Sequence, residues 1–207
     1  MMKRSLKSLL AITKSYIDLM KPNILIMVLI TSILGYYLGS DGRIIWSNLI
    51  WLLIGTTFSA GGASALNQYL ERDQDKIMNR TCDRPIPSGI ISPQNALLFG
   101  IIIVILGTIV LVVQTNLLTG FLSLLTAFMY VLIYTPMKRV TWLNTSMGSV
   151  PGALPPIGGW AAATNSIDSG AWILFAILYL WQHPHFFAIA WMCKDDYEKA
   201  GFKMLPV

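Results

Sequence analysis

Charged residues are scarce in this 207-residue sequence, at 12% of the chain, whereas hydrophobic residues make up 55%. Soluble domains usually carry about 25% charged residues, so this scarcity excludes an ordinary soluble domain and indicates a membrane protein. A net charge of +5 could otherwise suggest nucleic-acid binding. The basic residues, however, lie between long apolar segments, which favours the lipid bilayer as the partner and excludes nucleic acid.

Cysteine is also rare, with only Cys82 and Cys193 in the whole sequence. The two residues match no zinc-binding spacing and no disulfide framework, so we do not expect redox chemistry. A cleavable secretory signal is missing as well. The leader, residues 1–21, is basic but lacks a short apolar core followed by small residues. We therefore expect a retained basic cytoplasmic leader.

Six segments are long and apolar enough, or nearly so, to cross a bilayer core that needs about 20 residues per helix. They lie at residues 23–40, 45–70, 94–114, 117–136, 143–164 and 170–193. The sequence therefore predicts an all-α fold, a polytopic transmembrane helix bundle with six spans. Residues 1–207 form a single domain on this interpretation.

The orientation of the bundle follows from its basic residues. Fourteen of the fifteen Lys and Arg residues fall on alternate loops, and only Arg43 lies on the opposite side. By the positive-inside rule we expect the N terminus and those loops to be cytoplasmic. We favour the cell inner membrane of a bacterium, because the leader does not resemble an organelle transit peptide.

The last two predicted spans contain residues that are unusual in lipid. The fifth holds three prolines and four glycines between Gly148 and Gly159, so we expect its helix to be broken or kinked. Such a segment either packs closely through small residues or lines a wet cavity. The sixth carries Gln182, His183 and His185, polar side chains that indicate a function when they occur inside a membrane.

Seven of the ten acidic residues lie in two short segments, after the second and the sixth span. If the second helix continues past the membrane, Asn67, Glu71 and Asp75 share one face within about 80° and about 12 Å. Two carboxylates and an amide on one face suit Mg²⁺, which prefers oxygen ligands and binds beside phosphate. Alternatively, the acids pair with neighbouring Arg and Lys residues on a solvated helix end.

The residues that follow the first acidic segment favour the metal-binding interpretation. Arg80 and Arg84 precede a Pro-x-Pro turn at Pro85 and Pro87. Arginine binds phosphate through two parallel hydrogen bonds, and proline restricts the loop that carries it. Carboxylates for Mg²⁺ beside guanidinium groups predict a diphosphate site.

Several motifs, in order along the chain, resemble those of the UbiA-type intramembrane prenyltransferases, and more narrowly the branch that farnesylates haem. The resemblance runs from about Tyr16 to the last residue. Its motifs are Asn67–Asp75, Asn79–Thr81, Arg84–Gly89, Tyr134–Arg139, Gly148–Pro156, Trp181–Phe186, Lys194–Tyr197 and Met204–Pro206.

The resemblance implies a helical bundle around a central cavity that opens toward the cytoplasm. It implies transfer of a farnesyl group from farnesyl diphosphate to a vinyl group of haem B, which gives haem O. Mg²⁺ is the implied cofactor, haem B is a substrate, and a downstream haem A synthase is an expected partner. The family normally has nine spans, so we expect a chain truncated at its C terminus.

The resemblance also assigns roles to individual residues. Asn67, Glu71 and Asp75 would bind the metal and diphosphate as catalytic residues, together with Arg80 and Arg84, which would bind the diphosphate itself. The other expected site residues are Asp195 and Asp196 for a second metal, His185 and Gln182 for haem, and Tyr134, Lys138 and Arg139 for substrate. The second signature departs from the family, which usually has two aspartates four residues apart. Lys199 and Ala200 occupy those spacings here.

Three other functions stay open at this point. A prenyltransferase of the same fold could act on an aromatic quinone precursor. Carboxylates and intramembrane histidines could also serve a cation or proton-coupled transporter, although a transporter would place its charges near the middle of the bilayer. A catalytically inactive membrane subunit is the third alternative.

Overall fold

The computed structural model describes the backbone of residues 2–205 and the side chains of residues 11–205. Met1, Pro206 and Val207 lie outside the described residues, so the first residue of the leader and the last residue of the final motif are not placed. Within the described range the chain is helical and contains no strand.

Ten helices and one π-helical segment follow each other along the described chain. They are α1 Met2–Leu19, α2 Pro22–Gly39, α3 Trp46–Leu70, α4 Arg72–Asp75, α5 Pro93–Gln114, α6 Leu117–Phe128, the π segment Met129–Tyr134, α7 Thr135–Met137, α8 Asn144–Thr164, α9 Ser169–Met192 and α10 Lys194–Lys199. Prolines at the starts of α2 and α5 suit the first helical turn, where no backbone N–H donor is needed.

All six predicted spans are helices, with bounds within one residue of those read from the sequence. Five of them are long and apolar enough to cross a membrane, counting α6, the π segment and α7 as one. The fifth predicted span corresponds to α8, which has sufficient length at 21 residues but is less apolar because of its glycine, proline and serine residues. The all-α bundle is confirmed, and the chain is a multi-pass membrane protein.

Five of the long helices form a closed ring. Helix α2 packs on α3, α3 on α5, α5 on α6, α6 on α8, and α8 returns to α2, while α9 packs on the outside of α8. The contact between α2 and α8 is backbone against backbone. A side chain at Gly35 would overlap the carbonyl group of Pro156, and one at Gly159 would overlap that of Ser32. Only glycine permits this distance between the two helices.

Of the two expectations for this segment, a broken or a kinked helix, the break does not occur in α8. The helix is continuous from Asn144 to Thr164, because its packing against α2, α6 and α9 holds the segment helical despite the missing N–H donors. The two arrangements considered for this segment, close packing through small residues and lining of a cavity, both occur, each on a different face of α8. Gly159 packs against α2, whereas Pro151, Gly152, Pro155 and Gly158 line a cavity.

Candidate active site

A cavity of about 340 Å³ lies inside the helix ring, within the usual range for small-molecule sites. One end, here called the charged end, is where α2 begins, α3 ends and α7 follows the π segment. There the wall carries Lys21, Glu71, Asp75, Arg80, Arg84 and Lys138. Deeper in the ring the wall is made of apolar and hydroxyl side chains.

The predicted face of Asn67, Glu71 and Asp75 is present at the charged end. Helix α3 ends at Leu70, and Glu71 turns the chain into α4 with φ −95° and ψ 5°. The Asp75 N–H donates to the Glu71 carbonyl at 2.8 Å, so the helical spacing continues across this change. All three side chains are buried, with Asn67 and Asp75 at 0% exposure.

Each of these three oxygen-bearing groups is paired with a cation. The Lys21 ammonium donates to Asn67 Oδ1 at 2.6 Å, and Lys138 Nζ lies 2.7 Å from Glu71 Oε1. Both lysines reach the site from other elements, one just before α2 and the other just after α7. The pairs balance buried charge that would otherwise be costly.

The third pair is made by Asp75 and Arg84. One guanidinium nitrogen, Nη1, donates to both carboxylate oxygens of Asp75, at 2.9 and 2.8 Å. The Thr81 hydroxyl donates to the Asp75 carbonyl at 3.0 Å, and the Arg84 N–H donates to the Thr81 carbonyl at 3.1 Å. The loop that follows α4 therefore folds back onto α4 and places Arg84 over the carboxylate.

Electrostatics distinguish the two lysines. Burial, and then the charge of Arg84, lower the pKa of Lys21 to about 7. Burial alone would lower the pKa of Lys138, but Glu71 outweighs it and raises that pKa. Burial alone would raise the pKa of Glu71, but Lys138 and Lys21 outweigh it and lower that pKa. Glu71 and Lys138 therefore stay ionised as a pair, whereas Lys21 loses its proton more readily than Lys138 does.

The π segment brings the opposite wall into place. It sets Tyr130 and Tyr134 in a stack, with ring centroids 5.7 Å apart, and Lys138 Nζ lies 4.7 Å from the Tyr134 ring centre. Asn67 Nδ2 donates to the Thr135 hydroxyl at 2.9 Å, and that hydroxyl donates to the Tyr130 carbonyl at 2.8 Å. Short π-helical insertions often occur at functional sites. Here the insertion places Tyr130 and Tyr134 in the cavity wall and brings Thr135 into contact with Asn67.

The donor set at the charged end fits Mg²⁺ in part. Glu71 and Asp75 line the cavity, and Asn67, one turn before Glu71 on α3, is fully buried. Their carboxylate and amide oxygens are hard ligands of the kind that Mg²⁺ prefers. Among the described residues, no group of three His, Cys, Asp or Glu could hold a metal alone. A metal here would therefore complete its coordination with water and with oxygens of a ligand, as Mg²⁺ bound to a diphosphate does.

The second acidic cluster lies outside the cavity wall. Asp195 is exposed, and Asp196 is half-buried at the start of α10. The Asp196 carboxylate accepts from the backbone N–H groups of Asn79 and Arg80, both at 3.3 Å. These bonds hold the Asn79–Arg80 turn, and the second metal site expected at Asp195 and Asp196 stays a prediction.

Arg80 connects this turn to the cavity. Its guanidinium Nη2 donates to the Tyr197 hydroxyl at 3.3 Å, and both side chains line the cavity. Arg139 has a different place from the one expected. It donates to the Leu70 carbonyl at 2.8 Å and to Gln74 at 2.6 Å, so it joins α7 to the end of α3 and does not line the cavity.

The two residues predicted for haem, Gln182 and His185, lie on different sides of α9. Gln182 is buried and donates to the Ser149 carbonyl at 3.2 Å, which fixes α9 against α8. His185 is exposed on the outer side of α9, where its ring stacks on Trp181 with centroids 4.8 Å apart. Neither lines the cavity, whereas Phe186, the next residue, does. Haem binding inside the ring by His185 does not fit this placement, because its ring points away.

Two residues of this cavity wall, Lys21 and Tyr130, are not predicted as site residues from the sequence. Lys21 contributes there only to the charge pattern that sets orientation, and Tyr130 lies within an apolar span. A lone lysine directly before a proline at the start of a span was the available signal for Lys21. No local signal marks Tyr130, because its position depends on the π segment.

Comparison with known proteins finds similar sequences and similar folds. A model described as the UbiA prenyltransferase family matches residues 28–207. A relative from Solibacter usitatus, called protoheme IX farnesyltransferase, is 43% identical over 94% of this chain and 70% of its own length. Relatives of the same name from Salinibacter ruber and Aquifex aeolicus are 45% and 39% identical, over 93% and 95% of this chain and 68% of each relative.

Solved structures share the fold at lower identity. A structure of digeranylgeranylglyceryl phosphate synthase superposes with a TM-score of 0.80 at 20% identity, over 95% of this chain and 68% of the other. A homologue from Archaeoglobus fulgidus, bound to GPP and Mg²⁺, superposes with a TM-score of 0.76 at 18% identity, over 93% of this chain and 68% of that one.

Proposed function

The chain belongs to the UbiA prenyltransferase family, and we propose that it transfers a farnesyl group from farnesyl diphosphate to a vinyl group of haem B, giving haem O. One observation carries the proposal: an acidic face, Asn67 to Asp75, meets three cations at the end of a cavity that is otherwise largely apolar. Relatives named protoheme IX farnesyltransferase support the choice of substrates.

The charged end is suited to a diphosphate. Four cations, Lys21, Arg80, Arg84 and Lys138, line the cavity beside only two carboxylates, Glu71 and Asp75, so the local charge is positive. On substrate binding, these cations donate to diphosphate oxygens in place of Asn67, Glu71 and Asp75. A charge-assisted hydrogen bond to phosphate replaces each bond lost.

Mg²⁺, held by Glu71, Asp75 and Asn67, would supply charge neutralisation for the leaving diphosphate. The same three residues would position the diphosphate through that ion, so they need no contact with the isoprenoid. The cations gathered around them stabilise the negative charge that develops as the bond from C1 of the farnesyl group to oxygen breaks.

The wall below the charged end protects the allylic cation. The stacked rings of Tyr130 and Tyr134 offer faces that attract positive charge, and Ile24 and Val28 of α2 exclude water from the other side. Water held out of the cavity cannot capture the cation before the vinyl carbon attacks it. That attack forms the new C–C bond and leaves a positive charge on the carbon next to the porphyrin ring, where one water molecule then adds and loses a proton, while diphosphate is released.

The acceptor is proposed to approach along α9. Phe186 lines the cavity and His185 lies on the outer side of the same turn, so the pair connects the inside of the ring with its outer surface. A haem on this side would present a vinyl group past Phe186, and His185 would hold the porphyrin or its iron. Gln182 acts indirectly, by fixing α9 against α8.

The proposed location is the cell inner membrane, with the N terminus and the charged end in the cytoplasm. The distribution of Lys and Arg residues on alternate loops supports this orientation. Haem O made there would pass to a haem A synthase in the same membrane. The transporter alternative has less support, because the charged side chains gather at one end of the bundle and not at its middle.

The test is a transfer assay in liposomes with haem B, farnesyl diphosphate and Mg²⁺, in which chromatography follows the more hydrophobic haem product. The double variant Glu71→Ala, Asp75→Ala should lose product formation by about 10³-fold, since two of the three proposed metal ligands, both carboxylates, are removed. Asp73→Ala is the matched control, because Asp73 is an exposed acid on the same short helix, 70% accessible. Equal activity of the double variant and the control would refute the proposal.

A further inference from the structure

Helix α1, Met2–Leu19, has its basic and apolar positions on opposite faces. At about 100° per residue, four basic positions fall within an arc of about 100° and six apolar positions within an arc of about 160°, with the arc centres about 150° apart. The basic positions are Lys3, Arg4, Lys7 and Lys14, and the apolar positions are Leu6, Leu9, Leu10, Ile12, Tyr16 and Ile17. Helices with this pattern lie in the plane of a membrane surface.

The last turn of α1 attaches it to the bundle. Leu19 is buried and packs in one cluster with Ala65 of α3 and Ala96 of α5. The Gln68 side chain donates from Nε2 to the carbonyls of Asp18 and Leu19, at 3.3 and 3.1 Å. These contacts fix the end of α1 beside the end of α3 and the start of α5.

The apolar face of α1 is only partly covered by the protein. Ile12 and Ile17 are 48% and 50% exposed. Among the α1 side chains that the structure describes, only Ser15 and Leu19 are buried, and Lys14 is exposed on the basic face. Apolar side chains at this level avoid contact with water only if the bilayer covers them, which places the apolar face against lipid.

An open groove runs from α1 along the outer side of α5. It is lined by Tyr16, Asn95, Leu98, Phe99 and Ile102. Asn95 lies in the first turn of α5, and Ile102 lies about 10 Å further along that helix. The amide therefore lies at the level of α1 and the lining below it is apolar, as expected where lipid headgroups meet acyl chains. This continuity favours a lipid surface as the partner of α1 over a protein or a nucleic acid.

The charge of α1 distinguishes between kinds of lipid. The helix has four basic residues and one acidic residue, Asp18, so its net charge is +3. At a membrane surface that contains anionic lipids, each basic residue strengthens binding by about fivefold. Zwitterionic lipids provide no such attraction. Charge complementarity therefore points to anionic headgroups.

The end of α1 also sets the position of Lys21 at the charged end. The Lys21 N–H donates to the Asp18 carbonyl at 3.2 Å, and the Met20 N–H donates to the Ile17 carbonyl at 3.0 Å. Lys21 has φ 53° and ψ 68°, a left-handed conformation that a lysine keeps only when its surroundings hold it. Its ammonium donates to Asn67 Oδ1. A movement of α1 would therefore reach the charged end through Met20 and Lys21.

We propose that α1 binds the anionic lipid headgroups of the membrane surface through Lys3, Arg4, Lys7 and Lys14, and that this attachment holds Lys21 at the charged end. The lipid composition of the membrane then regulates the affinity of the protein for its diphosphate substrate. The lipid binding is independent of the proposed function, whereas the effect on substrate affinity rests on it.

The first experiment measures the attachment of α1 without an enzymatic readout. A fluorophore is placed on Ile12→Cys in a full-length protein that also carries Cys82→Ser and Cys193→Ser, and the protein is reconstituted in vesicles. Quenching by a lipid-borne quencher should be about twofold stronger in vesicles with about one third phosphatidylglycerol than in phosphatidylcholine alone. High salt should abolish this difference, because it screens the attraction.

Two matched variants remove the same charge from different places. The α1 variant is Lys3→Gln, Lys7→Gln, Lys14→Gln, and the control is Lys76→Gln, Lys194→Gln, Lys199→Gln, at three exposed lysines outside α1. The α1 variant should weaken attachment to the anionic vesicles by about 100-fold, since three factors of about fivefold are lost. The control should leave the attachment unchanged.

The second experiment uses the haem transfer assay in the same vesicles. In anionic vesicles the KM for farnesyl diphosphate should be about tenfold higher for the α1 variant than for the control, because Lys21 is no longer held in place. The KM for haem should be similar for both, and the two variants should behave alike in phosphatidylcholine. Each comparison is made within one kind of vesicle, so direct effects of lipid charge on the substrate cancel.

The outcomes separate this proposal from the proposed function. Equal quenching in both kinds of vesicle, or equal loss of quenching in both variants, would overturn the lipid binding. Attachment that follows lipid charge while the KM for farnesyl diphosphate does not change would overturn the link to Lys21. Absence of transfer in every kind of vesicle would instead contradict the proposed function, and the quenching result would still decide whether α1 binds anionic lipid.

Discussion

The two acidic clusters look alike in the sequence but have different environments in the structure. Glu71 and Asp75 are buried in the cavity wall and paired with Lys138 and Arg84. Asp195 and Asp196 lie outside that wall on a short surface helix. The difference shows that acidic spacing alone does not define a metal site, since burial and the partner groups decide which carboxylates can serve a ligand.

The largest expected effect is loss of a carboxylate from the buried cluster. Asp75→Asn keeps the size of the side chain but removes a charged ligand and the partner of Arg84, so transfer activity should fall by about 10²–10³-fold. Rates at saturating donor concentration measure it. Activity within a few-fold of the unmodified protein would place Asp75 among structural residues.

Removal of the cation that balances Glu71 should affect stability most. Lys138→Met leaves a buried carboxylate unpaired, which costs about 3 kcal/mol or more. Thermal unfolding in detergent measures the loss. Arg139→Met is the comparison variant at the next residue, because Arg139 is exposed and donates hydrogen bonds to the Leu70 carbonyl and to Gln74, both uncharged groups. Equal destabilisation by both changes would contradict the buried ion pair.

The variant Lys21→Met tests whether the lysine and arginine side chains exchange their hydrogen bonds to protein oxygens for hydrogen bonds to the diphosphate. Lys21→Met should raise KM for farnesyl diphosphate by about tenfold, as expected for one lost charge-assisted hydrogen bond, and should change KM for haem little. Steady-state kinetics with each substrate varied in turn give both values. An unchanged KM for the diphosphate would indicate that Lys21 only supports Asn67.

Asp196 should show a smaller, indirect effect. Asp196→Asn weakens the hold on the Asn79–Arg80 turn, so Arg80 is less well positioned and activity should fall by about threefold to tenfold. Addition of Mg²⁺ at high concentration should not restore the loss, because no metal ligand has been removed. Rescue by Mg²⁺ would instead support the second metal site expected from the sequence.

The smallest effect is expected at Asp195. Asp195→Asn changes an exposed side chain, and both activity and unfolding temperature should stay close to those of the unmodified protein, within about twofold in rate. A loss comparable to that of Asp75→Asn would remove the distinction between the clusters.

Sequence patterns were sufficient for the bundle because apolar segments of membrane length have few alternatives to helix. They also placed Asn67, Glu71 and Asp75 correctly on one face, since the spacing of four residues is local. The position of Asp196 could not be predicted, because it depends on the fold of the loop that contains Asn79. The outward direction of His185 depends on how α9 is rotated against α8, which the apolar residues on all sides of α9 do not specify.

The π segment Met129–Tyr134 has a consequence for insertions and deletions in the gene. It holds one residue more than an α-helix of the same rise, so deletion of a single residue there could restore an ordinary helix with little change in length. A π turn closes with bonds to the fifth residue along the chain, so after the deletion the same turn would close with the ordinary bonds to the fourth residue. Thr135 and Lys138 would keep their directions toward the acidic face, and only the side chains within the segment, such as Tyr130 and Tyr134, would change their relative positions. The wide turn therefore lets the cavity wall gain or lose one residue without rotating the rest of the helix.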